Sequence, residues 1–118
     1  MMIRTLMTAL ALVATASLAH AHAQLDRASP PVGGTVASAP RTVSLTFTEN
    51  VEAAFSSIRV EDASGARVDQ GKPQLGGSRN VLRVNVKPLG PGAYKVIWKV
   101  LSTDTHSTEG SFSFSVGR

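Results

Sequence analysis

From Tyr94 to Ser102, the longest strand candidate, the chain alternates between Tyr94, Val96, Trp98 and Val100 on one side and Lys95, Ile97, Lys99 and Leu101 on the other. Successive side chains of an extended strand point to opposite faces, so this run specifies a strand with one apolar face. The same period recurs in Val43, Leu45 and Phe47 between Thr42, Ser44, Thr46 and Thr48. It recurs again in Ile58 and Val60, in Leu82, Val84 and Val86, and in Phe112, Phe114 and Val116 among serines. Turn formers separate these runs: Ser29-Pro30-Pro31-Val32-Gly33-Gly34, Asp62-Ala63-Ser64-Gly65, a polar Gly-rich stretch from Asp69 to Asn80, and Pro88-Leu89-Gly90-Pro91-Gly92. No segment sustains a helical period. About seven short strands predict an all-β, Greek-key sandwich or small barrel. Trp98 reads as a core anchor, since its strand face is apolar throughout. Ile97 and Leu101, on the lysine side, read as a partly covered second face or as a partner surface.

Residues 1–21 have the layout of a secretory signal: Arg4, an apolar run from Leu6 to Ala19, then small residues. The run is shorter than the ~20 residues that cross a bilayer, and no later segment is apolar enough to do so. The expected product is an exported, single-domain protein over residues 22–118, not inserted in a membrane. Three cuts satisfy a small-x-Ala rule, leaving His20, His22 or Gln24 as the first residue.

The chain has no cysteine, which excludes zinc ribbons, thiol redox motifs and copper centres with a thiolate ligand. Its methionines, Met1, Met2 and Met7, all fall in the signal, so thioether ligands are missing from the expected product. The net charge of +4 includes Arg4, and the remaining basic residues are scattered, which gives nucleic-acid binding no support. Any metal site must use nitrogen and oxygen.

The three histidines are His20, His22 and His106. If the cut leaves His22 first, its α-amine and Nδ1 close a six-membered chelate ring. An α-amine has a pKa of about 7.7–8.0, so a metal displaces its proton at little cost near neutral pH. Asp104 and His106 are two residues apart, and in an extended segment both project to one side. Together these groups supply three nitrogens and one carboxylate oxygen, a tetragonal N,O set that suits Cu(II) or Ni(II), with Cu(II) the tightest of the divalent series. A cut before His20 instead creates His20-Ala21-His22, which can bind Cu(II) without His106. A cut before Gln24 deletes both N-terminal histidines.

His22-Ala23-Gln24-Leu25, Ser29-Pro30-Pro31-Val32-Gly33, Ala39-Pro40 and Leu45-Thr46-Phe47-Thr48-Glu49 resemble the start of the CopC family of periplasmic copper-binding proteins. Tyr94 through His106, with Gly110-Ser111-Phe112-Ser113-Phe114, resembles the C-terminal signature of that family. The resemblance implies a Greek-key fold of the cupredoxin-like or immunoglobulin-like kind, with His22 as the mature N-terminus. It implies one Cu(II) per chain, held by the His22 amine and imidazole together with Asp104 and His106. Glu49 matches an acidic residue at or near the site, as a weak or outer ligand or simply a strand-end carboxylate. The Met-rich Cu(I) site of some members is expected to be absent.

The expected function is thus a monomeric, non-enzymatic periplasmic copper resistance or homeostasis protein. It would sequester Cu(II) or deliver it to an inner-membrane copper transport protein. Two other readings fit parts of the sequence. A metal-free immunoglobulin-like interaction domain accounts for the strand pattern. A copper oxidase of the lytic polysaccharide monooxygenase kind shares the N-terminal histidine grip, but the chain has little aromatic surface for sugar stacking.

Overall fold

The computed structural model describes residues 22–117; the expected signal segment 1–21 lies outside the described residues. Eight strands are present: β1 (Leu25–Ser29), β2 (Thr35–Val36), β3 (Thr42–Phe47), β4 (Ser57–Glu61), β5 (Asp69–Leu75), β6 (Val81–Val86), β7 (Gly92–Leu101) and β8 (Ser107–Val116). Among the described residues, one 3-10 turn, Ala53–Phe55, precedes β4. The strands form two four-stranded sheets, ordered β1-β3-β6-β5 and β2-β8-β7-β4. All neighbours are antiparallel except the short β2, which lies parallel to β8. The sheets face each other as a sandwich. One seam is closed where Val68 N–H donates to the Val60 carbonyl and Glu61 bridges to Arg67.

The apolar positions read from the sequence form the interior. Val43, Leu45, Phe47, Leu82 and Val84 of one sheet meet Ile58, Val60, Val96, Trp98, Val100 and Phe114 of the other. Trp98 is buried and meets Phe47 edge-on, with ring centroids 5.2 Å apart. Its ring lies over Gly110, where an added Cβ would come within 2.6 Å of Cζ2. Gly110 is therefore the residue that lets the indole lie flat against β8. Ile97 and Leu101 are half-buried.

Five of the eight strands are the alternating runs read from the sequence; β1, β2 and β5 are additional, and the polar stretch from Asp69 to Asn80 is not all loop, since Asp69–Leu75 pairs with β6 as an edge strand. With almost no apolar alternation, β5 is held by backbone hydrogen bonds and by Asp69. The Asp69 carboxylate accepts from Val60 N–H at 2.8 Å and from Arg67 at 2.8 Å.

Candidate metal centre

Three of the proposed ligand residues meet at one end of the sandwich. β7 and β8 pair from Gly92↔Val116 to Leu101↔Ser107, and the connection between them is a tight loop. Ser102 N–H donates to the His106 carbonyl at 2.9 Å, and Thr105 N–H donates to the Ser102 carbonyl at 2.9 Å. Thr105 adopts φ 74°, the left-handed region that a β-branched residue rarely enters. Asp104 and His106 therefore do not share a side through strand alternation, as the two-residue spacing suggested. A three-residue hairpin loop with a left-handed last residue folds them together.

Asp104 Oδ1 lies 3.2 Å from His106 Nδ1, and the Ser102 hydroxyl also donates to Oδ1. The Ser102 hydroxyl holds the Asp104 carboxyl below the usual carboxylate range. Partial desolvation opposes this shift, and contacts with His106 reinforce it. Asp104 is thus a carboxylate near neutral pH, acceptor only. With Nδ1 of His106 turned to Asp104, Nε2 is the ring nitrogen left for a metal. Both side chains are close to half exposed, at 43% and 48%, so an ion can reach them from solvent.

His22 comes from the other sheet. Its ring centroid lies 4.6 Å from that of His106, tilted by 54°. The residues behind it hold it there. Ala23 is fully buried, and its carbonyl accepts from the Thr108 hydroxyl at 2.6 Å. Gln24 N–H donates to Thr48 Oγ1 at 2.9 Å, and Thr48 N–H returns a bond to the Gln24 carbonyl at 2.9 Å. Glu49 follows Thr48 and is half-buried. It belongs to the same end, because the next carbonyl, that of Asn50, accepts from Thr103 N–H at 3.0 Å. Among the described residues, no three His, Cys, Asp or Glu side chains are gathered closely enough to hold an ion by themselves.

The sequence reading missed Ser102, Thr105 and Thr108 as parts of this end. Ser102 looked like the last residue of a strand, and only the hairpin geometry turns its hydroxyl onto Asp104. Thr108 meets Ala23 across 85 residues of chain, with no local signature.

The class these observations define is a small β-sandwich with two imidazoles and a carboxylate at one end, bound to no other function by its fold. The comparisons with known proteins narrow it. The CopC domain model matches residues 25–117, and the chain belongs to the CopC family. It is 36% identical over 120 residues to copper resistance protein C of Xanthomonas campestris pv. juglandis, covering 95% of this chain and 92% of that protein. It is 33% identical over 100 residues to the copper transport protein CutJ of Bacillus subtilis (strain 168), covering 83% of this chain but only 18% of CutJ. The crystal structure of CopC from Methylosinus trichosporium OB3b superposes with a TM-score of 0.76 at 35% identity, covering 81% of this chain and 94% of that one. The family is one of copper-binding resistance proteins, and the function of this chain is copper-related.

Proposed function

We propose that the protein is a periplasmic Cu(II) carrier. In this reading the signal is removed before His22, and one Cu(II) binds per monomer through the His22 α-amine and imidazole, Asp104 and His106. Glu49 serves as an outer or weak ligand. The observation that carries the reading is the convergence of the His22 ring, the His106 ring and the Asp104 carboxylate at one end of the sandwich. Side chains alone make an incomplete set there, and a free amine at His22 supplies the missing donor. Nitrogen and oxygen donors in this mixture favour Cu(II) over softer ions. This reading assigns the site the binding and transfer of copper rather than catalysis. The match to a short part of CutJ, a copper transport protein, supports delivery to an inner-membrane copper transport partner.

The test is a Cu(II) competition titration against a chelator, on protein beginning at His22 and on the same protein with one extra N-terminal alanine. One-to-one binding that collapses with the added residue is the expected result. Equal, weak binding by both proteins would remove His22 as the anchor and favour a metal-free interaction domain.

A further inference from the structure

Ser102 is 1% exposed and is the one buried polar residue among the described residues. Each of its polar groups faces the hairpin loop: its N–H reaches the His106 carbonyl, its carbonyl accepts from Thr105, and its hydroxyl meets Asp104 Oδ1 and lies 3.2 Å from the His106 carbonyl. Its backbone is fixed from behind by an antiparallel bridge to Val51, itself buried. Among the described residues, every hydrogen bond to the Asp104 carboxylate ends on Oδ1. These come from the Ser102 hydroxyl, His106 Nδ1 at 3.2 Å and the longer His106 N–H at 3.4 Å.

We propose that Ser102 is a positioning residue for metal capture. Its buried hydroxyl ties down Oδ1 of Asp104 and turns Oδ2 outward as the single oxygen offered to the ion. This rests on the reading that Asp104 is a copper ligand. The physical argument is one of order. An exposed carboxylate on a loop samples several rotamers, and an ion that must fix it loses affinity accordingly. A hydroxyl rooted in the core does this fixing before the ion arrives. Buried partners of metal ligands contribute roughly 10–100-fold in metal affinity when they act in this way.

The experiment is a double-mutant cycle on protein beginning at His22: Ser102→Ala, Asp104→Ala and the pair, each titrated with Cu(II) against a chelator and examined by electron paramagnetic resonance. Ser102→Ala alone is expected to lose about 10-fold in affinity, with a changed Cu(II) spectrum. In the Asp104→Ala background it is expected to lose nothing more. An equal loss in both backgrounds, or no loss in either, overturns the proposal. Asp104→Ala that leaves affinity unchanged instead overturns the underlying ligand assignment, so the two failures are distinct. Should Ser102→Ala not fold, NMR of the unaltered metal-free protein decides. A Ser102 hydroxyl proton protected from exchange is expected, and one exchanging at the rate of a solvent-exposed serine overturns the proposal.

Discussion

Asp104 and His106 stand at the tip of a hairpin whose two 10-residue strands pair without a break, while His22 hangs from a strand that shifts register between Leu25 and Arg27. The hairpin tip is stiffened from within by Ser102 and by the left-handed Thr105. The histidine on the opposite sheet relies on two threonines, Thr48 and Thr108, that reach across from elsewhere in the chain. The Asp104–His106 half of the proposed centre is therefore fixed within one hairpin, and the His22 half is tethered by contacts with residues distant in the chain. On the proposed reading, the preformed pair would supply selectivity through its geometry, and His22 would complete the set.

His106→Ala breaks the preformed half directly. Loss of a ligand outweighs loss of an outer partner, so Cu(II) affinity should fall by at least about 100-fold in a competition titration. Gly110→Ala attacks the hairpin from beneath, because the new methyl group meets the buried Trp98 ring at 2.6 Å. Overpacking of this kind costs about 2 kcal/mol. The melting temperature of the metal-free protein should drop by roughly 10 °C. Thr108→Val acts on the tethered half, orphaning the Ala23 carbonyl at a cost of about 1 kcal/mol in chemical denaturation. It should also weaken Cu(II) binding more than it lowers stability, and a purely structural Thr108 would do the reverse.

Asp69 serves as a control remote from both halves. Burial alone would raise its pKa, but hydrogen bonds from Arg67 and from Val60 N–H outweigh that and hold the carboxyl below the usual range. The stability it contributes is fully present above the unfolded carboxylate pKa of about 3.9 and is lost as pH falls through the lower folded value. Asp69→Asn should therefore flatten the stability decline below about pH 4 while leaving Cu(II) affinity near neutral pH unchanged. The smallest effect belongs to Thr105→Gly. Relief of the left-handed strain is largely offset by the greater freedom of glycine in the unfolded chain. Denaturant midpoints should move by no more than about 0.5 kcal/mol, in the stabilising direction.

β3, β4, β6, β7 and β8 were legible because each buries one face against the opposite sheet, which forces alternation into the sequence. β5 was not legible, since Asp69–Leu75 is an edge strand whose residues are half-buried or exposed and whose register comes from β6. β1 and the two-residue β2 carry too few buried residues to show a period. At the candidate centre, Asp104 and His106 could be picked out by chemical type alone. Their approach could not be read correctly, because it depends on a positive φ at a threonine. The place of His22 depends on hydrogen bonds to residues far away in the chain, which no local pattern encodes.

The Thr108–Ala23 bond also sets an order of assembly. The β7–β8 hairpin joins neighbours in sequence, so closing it costs little chain entropy, and such local contacts form early in folding. The N-terminal segment must instead find a partner 85 residues away, and its docking waits on both sheets being in place. His22 is then the last group of the proposed metal site to arrive, after the hairpin that carries Asp104 and His106 has closed.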